Sequence, residues 1–412
     1  MSHADKNQKT VLITDAARGS AIAFIRSLGR RGWRVIAADT YAGNPGFRSR
    51  YVAGRLVYPS PVSEPTAFVQ ALRDTIRDEH VDLVIPITDE VILPLSAVRE
   101  EIEATCTLAL PDAESLATAA DKYHTAELAR SLGVPVPRTC LVGTAIEAAQ
   151  CGDALGWPIV LKPRFSRRYR EHAQVESFGV CYADDPEHLA ERMREFEGRS
   201  DVLLQEYNPG TGVGVELLLH EGEPLVAFQH MRLREIPVHG GASAFRQSVP
   251  LDPALYQHSV RLLGALKWTG LAMVEFKVGA EGPKLMEING RVWGSLPLAV
   301  HSGVDFPARL ADLMIDGVPE GTSQPELSYA NGVRSRNLEL DLMWIVNVML
   351  GRKRYPFLTT ARRRDAVRAI CELVNPACKF DILSLSDPMP GMIEISKIIT
   401  KFRSKMGQPE AA

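Results

Sequence analysis

The apolar run Val11-Leu12-Ile13, an amphipathic stretch over residues 21–31 and a second apolar run over residues 33–39 predict a strand, a helix and a strand in succession. The helical period returns over residues 64–79, followed by a short buried strand at 81–86. This alternation predicts a parallel sheet covered by helices, and it delimits a first α/β domain at residues 1–115. The turn after the first strand, Asp15-Ala16-Ala17-Arg18-Gly19-Ser20, lacks the glycine triad that lets a pyrophosphate approach a helix N-terminus. Asp39 ends the second strand where such folds place a ribose-binding acid, but without the glycines the pattern does not support NAD.

Residues 119–132 predict a helix closed by Gly133, and Val134-Pro135-Val136-Pro137 forces an extended exit. Strands at 159–162, 179–183 and 202–207, with a helix over 186–196, complete a second unit at residues 116–207. A third unit, residues 208–333, shows strands near 214–219 and 225–231, a helix over 253–266 and a hairpin. The tail, residues 334–412, reads as helices over 338–350, 359–373 and 392–402.

Length and composition narrow the class. The chain has 412 residues, enough for two to four domains, and its 45% apolar and 24% charged residues are an ordinary globular balance. A net charge of −3 gives no global attraction to nucleic acid. The charge is unevenly spread: residues 334–412 hold 14 Lys/Arg against 8 Asp/Glu, so the tail carries +6 and the rest −9. Six scattered cysteines, with no CxxC pair, are expected to be reduced and mostly buried. The first nine residues are polar, and no window approaches the roughly 18 apolar residues of a membrane span, which makes the cytoplasm the expected location.

The most informative stretch is Leu271–Val278, a Gly/Pro turn at 279–283 and residues 284–289, which predict a hairpin. Centring the turn on residue 281 pairs Val274 with Ile288, Glu275 with Glu287 and Phe276 with Met286. Two glutamates then oppose each other with Cβ atoms about 4.5–5.5 Å apart, which is destabilising unless a positive charge lies between them. Asn289 shares their face by strand period. Two carboxylates and an amide oxygen suit Mg²⁺, and Arg291 would add a guanidinium for phosphate or carboxylate. The plainer alternative is a solvated face whose charges are relieved by Lys277 or Lys284.

Asp121-Lys122, Ile159-Val160-Leu161-Lys162-Pro163, Leu204-Gln205-Glu206-Tyr207, Val274-Glu275-Phe276 and Met286-Glu287-Ile288-Asn289-Gly290-Arg291 together resemble the ordered motifs of ATP-grasp ligases. The likeness, to the carbamoyl-phosphate synthase and biotin carboxylase relatives and to their ATP-dependent carboligases, covers roughly residues 10–330. It implies an α/β and α+β architecture: a Rossmann-like pre-ATP-grasp domain, an N-terminal lid subdomain, a C-terminal subdomain with the metal site, and a basic helical appendage. It implies ATP and Mg²⁺, or Mn²⁺ in its place, as cofactors. Lys122 and Lys162 would lie on the phosphates, Gln205, Glu206 and Tyr207 around adenine and ribose, and Glu275, Glu287 and Asn289 on the metal. Arg291 would lie beside the transferred phosphoryl group, and His239 and Gly241, in His239-Gly240-Gly241-Ala242-Ser243, near nucleotide and substrate.

The sequence departs from the family at two places. Residues 164–170, four of them arginine, stand where many members carry a glycine-rich flap; arginine side chains replace it, or face an anionic substrate, or belong to a mobile solvated loop. The strand start Val213-Gly214-Val215-Glu216 leaves the ribose-binding acid unassigned.

The implied activity is ATP-dependent carboxylate–amine ligation through an acyl phosphate, with release of ADP and phosphate; the alternative is a nucleotide-binding scaffold without ligation. Partners are then small or carrier-linked carboxylates and amines, with no nucleic acid. Arg18 or Arg246 are candidates for a substrate carboxylate, and Asp89 or Glu90 for an amine, although Asp89 fits a helix cap equally well. The tail's apolar run at 342–350, next to Arg352-Lys353-Arg354 and Arg362-Arg363-Arg364, fits packing on the chain's own body or on a dimer partner better than contact with an anionic polymer or the inner membrane face.

Overall fold

A computed structural model describes residues 8–165, 167–169, 175–238, 240–318, 321, 324–351, 355, 357–358 and 361–406. Strands β1 (Thr10–Ile13), β2 (Arg34–Asp39), β3 (Val52–Val57), β4 (Leu83–Ile85) and β5 (Thr107–Leu108) form an all-parallel sheet in the order β3-β2-β1-β4-β5. The chain winds outward from β1 to β3 and returns to β4, so a crevice opens at the carboxyl ends of β1 and β4, where sheets of this kind hold ligands. The helix Gly19–Arg30 buries Phe24, Ile25 and Leu28 against this sheet.

Next come β6 (Thr139–Val142), β7 (Ile159–Pro163), a small hairpin of β8 (Arg167–Tyr169) and β9 (Val175–Ser177), then β10 (Cys181–Ala183) and β11 (Val202–Glu206). β10-β7-β11-β6 is an antiparallel sheet packed on the helices Ala145–Leu155 and Pro186–Met193. The stretch predicted as one helix over 119–132 is two, Ala113–Ala120 and Lys122–Ser131. Asp121 breaks it because its carboxylate accepts hydrogen bonds from the backbone N–H groups of Tyr123 and His124, capping the second helix. Gly133, at φ +68°, follows that helix as expected.

The third sheet has seven strands: β12 (Thr211–His220), β13 (Glu223–Ile236), β14 (Ala242–Ser248), β15 (Gly270–Gly279), β16 (Gly282–Asn289), β17 (Arg334–Arg336) and β18 (Cys378–Phe380), ordered β16-β15-β12-β13-β14-β17-β18. Two of these lie in the tail, for which the sequence pattern predicts helices alone. β17 runs antiparallel to β14 and β18 parallel to β17, so the tail extends the sheet. Strands this short carry little periodicity of their own and are fixed by their neighbours. The tail helices are Leu338–Met349, Arg363–Leu373 and Pro388–Met406. One face of the first is core: Trp344, Ile345 and Val348 are buried with Ala366 and Ala369 of the second, while Met349 and Leu350 at its end are exposed.

The first and third sheets share one hydrophobic cluster, in which Phe24 and Leu28 join Phe228, Met273, Trp293, Leu296 and Phe306. All six cysteines are free; Cys106, Cys181 and Cys378 are buried, Cys140 and Cys151 are half-buried and Cys371 is exposed, so burial is less general than expected.

Candidate functional site

The β15–β16 hairpin pairs Val274 with Ile288 and Glu275 with Glu287, as the sequence predicts. Beyond that pair the register slips by one, and Phe276 faces Leu285 rather than Met286. The slip is a β-bulge: the turn is the two residues Ala280 and Glu281, with Gly282 at φ +95°, and the extra residue falls at Met286. Met286 is thereby released from the apolar face into the cleft, where its Sδ lies 3.8 Å from Lys162 Nζ.

The positive charge beside the glutamates is neither Lys277 nor Lys284. Arg232 of β13 donates to Glu275, and its other Nη donates to Glu235 at 2.9 Å and to the carbonyl of Gly241 at 3.0 Å. Lys284 instead binds Glu206 at 2.6 Å and Glu281 at 3.3 Å. Burial pushes the Glu275 carboxyl upward in pKa. Burial opposes ionisation of Glu287 too, but the fields of Lys122, Lys162 and Arg291 outweigh it and hold this carboxyl below its usual range. Asn289 Nδ2 lies 3.5 Å from Glu287. Two half-buried carboxylates and an amide on adjacent strands are a hard-oxygen donor set, which fits a small divalent cation. Among the described residues no group of three or more His, Cys, Asp or Glu side chains forms a metal cage, so such an ion would take its remaining ligands from phosphate and water.

These residues line one cleft of about 550 Å³ between the three sheets. Lys122, Lys162, Gln205, Glu206, Tyr207, Gly241, Glu275, Glu287, Asn289 and Arg291 are all in its wall. Burial lowers the Lys162 ammonium to about 8. Gln205 donates to Thr139 Oγ1 at 3.0 Å, and Glu206 is clamped by Lys284 and by Arg138 at 2.5 Å, which hold its pKa at about 2 against the opposing effect of burial. His239 lies outside the described residues.

Arg291 donates to Asp89 at 2.9 Å, so the metal-side strand is tied to the crevice of the first sheet. Asp89 is the first residue of the helix Asp89–Ala97, and the N-cap position falls to Thr88. Arg18, Asp89 and Glu90, three of the candidates for substrate contact, line the cleft. Arg246 does not: it is wholly buried and bonded to Asp381. Glu216 is also buried, 2.9 Å from His230 and accepting from Ser295 at 3.0 Å, and is not part of the cleft wall. Arg164 is structural, gripping the capping residue Asp121 through two nitrogens at 2.9 and 2.8 Å. Ser166 and Arg170 lie outside the described residues, and β8 and β9 stand where a glycine flap was absent.

Sequence reasoning missed Arg232, Tyr182, Trp293, Asn337 and Leu340, all in the cleft wall. An arginine inside a long strand was the one available signal for Arg232. For Asn337 and Leu340 there was none, since only the docking of the tail brings them to the cleft.

A family model described as "ATP-grasp in the biosynthetic pathway with Ter operon" matches residues 198–337. A formate-dependent phosphoribosylglycinamide formyltransferase from Synechococcus sp. (strain CC9605) is 28% identical over 180 residues, 43% of this chain and 42% of that relative. A 3-methyl-D-ornithine–L-lysine ligase from Methanosarcina acetivorans is 27% identical over 258 residues, 61% of each chain. The chain thus spans about two-fifths of the first relative and three-fifths of the second. In fold it is similar to biotin carboxylase from Campylobacter jejuni (TM-score 0.62, 16% identity, 79% of this chain and 74% of that one). It is also similar to the L-amino acid ligase from Bacillus licheniformis (TM-score 0.60, 17% identity, 79% and 78%).

Proposed function

We infer, from the premise that this chain is an ATP-grasp protein, that it joins a carboxylate to an amine in an ATP-dependent reaction. The observation that carries the reading is the convergence of Lys122, Lys162, Glu275, Glu287, Asn289 and Arg291 on one cleft that also reaches Arg18, Asp89 and Glu90.

A carboxylate does not acylate an amine at neutral pH because its leaving group is poor. In the proposed reaction a substrate carboxylate oxygen attacks the γ-phosphorus of ATP and ADP leaves. The amine then attacks the acyl carbon, phosphate departs and the amine's surplus proton goes to solvent. Such chemistry asks for positioning and charge stabilisation rather than a covalent nucleophile. Lys122 and Lys162 neutralise phosphate oxygens, and Arg291 faces the transferred group. Glu275, Glu287 and Asn289 would hold Mg²⁺ or Mn²⁺, which when bound supplies positive charge to the β- and γ-phosphate oxygens. Gln205, Glu206 and Tyr207 border the nucleoside. Arg18 orients a substrate carboxylate, and Asp89 and Glu90 an amine. The domain limits at residues 115, 207 and 333 belong to the same reading.

The test is to incubate the full chain with ATP, Mg²⁺ and pools of carboxylates and amines, following ADP release and identifying adducts by mass spectrometry. ADP release that requires both pools, with a condensed product, supports ligation. Nucleotide binding with no acceptor-dependent release across broad pools would replace the reading with a non-catalytic scaffold.

A further inference from the structure

Among the described residues, fifteen large apolar side chains are exposed, and ten of them lie between Met349 and Ile399. They share the segment that carries +6 while the rest of the chain carries −9. The helix Arg363–Leu373 shows how the two properties combine. Ala366 and Ala369 turn one narrow face to the body, and Glu372 reaches under it to bind Arg234 at 2.6 Å. A neighbouring face, about 100° round the helix from that one, presents Val367, Ile370 and, just past the helix end, Val374, the last 84% exposed. At 100° per residue these three fall within an arc of about 60°. Arg363 lies within that arc and Arg364 and Arg368 follow along one flank, and all three arginines are exposed. The side chains of Arg364 and Arg368 are 76% and 80% exposed. Their nearest acids answer them weakly, with Arg364 3.9 Å from Asp365 and Arg368 3.8 Å from Glu372.

We propose that this helix is a docking surface for an anionic lipid bilayer, lying in the plane of the headgroups with Val367, Ile370 and Val374 inserted and Arg363, Arg364 and Arg368 on lipid phosphates. An exposed apolar arc with Arg363 inside it and Arg364 and Arg368 along one flank has the mixed apolar and cationic character of an interfacial helix. Charge decides the occupant: a second copy of the same face would set guanidinium against guanidinium, whereas an anionic surface neutralises all of them. Contact is peripheral, since no helix among the described residues is long and apolar enough to cross a membrane. In the apolar run at 342–350, the part of the tail that the sequence offered for this role, Trp344, Ile345 and Val348 are buried in the core and only Met349 and Leu350 are exposed, and the adjoining Arg352-Lys353-Arg354 lies outside the described residues.

The experiment is vesicle flotation of the full chain with phosphatidylcholine alone and with phosphatidylcholine containing phosphatidylglycerol. Binding is expected only to the anionic vesicles and should weaken with salt. Arg364→Gln and Arg368→Gln should each lower the partition coefficient roughly fivefold, and the double variant Ile370→Asp/Val374→Asp should abolish flotation while the thermal melt stays within a few degrees. No binding to anionic vesicles, or equal binding by wild type and the double variant, overturns the proposal. So does sedimentation showing a wild-type dimer that Ile370→Asp/Val374→Asp converts to monomer, which would make the face a contact between copies.

Discussion

Arg246 of β14 and Asp381, the residue after β18, are joined in a wholly buried ion pair at 2.5 Å, and Ser335 of β17 donates to the same carboxylate oxygen. The pair belongs to a set. Asp341 takes Arg234 at 2.6 and 3.0 Å, and Asp387 takes Arg26 at 2.9 Å while also accepting from Ser49 and the backbone of Arg50. A tail with a surplus of basic residues therefore docks through its few aspartates onto arginines of the body. Removing one partner leaves a buried charge unanswered, so Asp381→Ala should cost about 3–5 kcal/mol in urea unfolding and expose residues 334–406 to limited proteolysis. The pair is imperfectly satisfied, since Arg246 Nε and Asp381 Oδ2 have no partner. Replacing both by apolar residues, as in Arg246→Met/Asp381→Leu, should recover much of the loss. Equal losses in the single and double variants would show that the charges are not what couples the two parts.

Glu287→Gln tests the metal reading. The substitution keeps size and removes the charge held against Lys122, Lys162 and Arg291. Acceptor-dependent ADP release should fall by more than about 100-fold, and the Mg²⁺ concentration for half activity should rise. A rate within twofold of wild type, with an unchanged Mg²⁺ dependence, would remove Glu287 from the metal site.

Legibility in the sequence followed physical range. The glutamate pair was readable because a hairpin register is set by its own turn, and Glu275 faces Glu287 as counted. The bulge at Met286 was not, because it depends on how tightly Ala280-Glu281 closes, a matter of a single residue. The parallel sheet and its three central strands followed from the alternation of apolar runs and helical periods, but the two edge strands did not: β3, half-buried at its edge, gives alternation too weak to separate from loop, and β5 is only two residues long. The tail strands and the clamps by Asp341, Asp381 and Asp387 were invisible, because each acid meets its arginine more than 100 residues away.

The Lys162 ammonium gives a pH signature. Burial lowers its pKa to about 8, so in the free protein it is charged below that pH and neutral between there and its ordinary value of 10.5. Phosphate binding favours the charged form, which means ATP binding takes up a proton above pH 8. The KM for ATP should therefore be flat below about pH 7 and rise through pH 8 to 9, by at most roughly tenfold per unit, and Lys162→Arg should hold it flat over the whole range. A KM independent of pH in the wild type would mean that Lys162 does not meet the phosphates.

Glu394, on the helix Pro388–Met406, gives a second signature that belongs to stability rather than catalysis. Its carboxyl is buried, its Oε2 has no hydrogen-bond partner, and burial with the nearby charges of Asp381 and Glu339 raises its pKa from 4.5 to about 8. The folded state thus binds the proton more tightly than the unfolded chain does. The associated stability is fully present below pH 4.5 and is lost progressively as pH rises from there to 8. Glu394→Gln, which keeps the neutral shape, should remove that loss: it should leave stability nearly unchanged near pH 5 and raise it at pH 8.5, by on the order of 3 kcal/mol or less. Urea unfolding at the two pH values measures the difference, and hydrogen exchange over residues 388–403 reports whether the gain sits in this helix. An equal effect of the substitution at both pH values would mean that Glu394 is already ionised in the folded protein at pH 5, with Arg26 as its counter-charge.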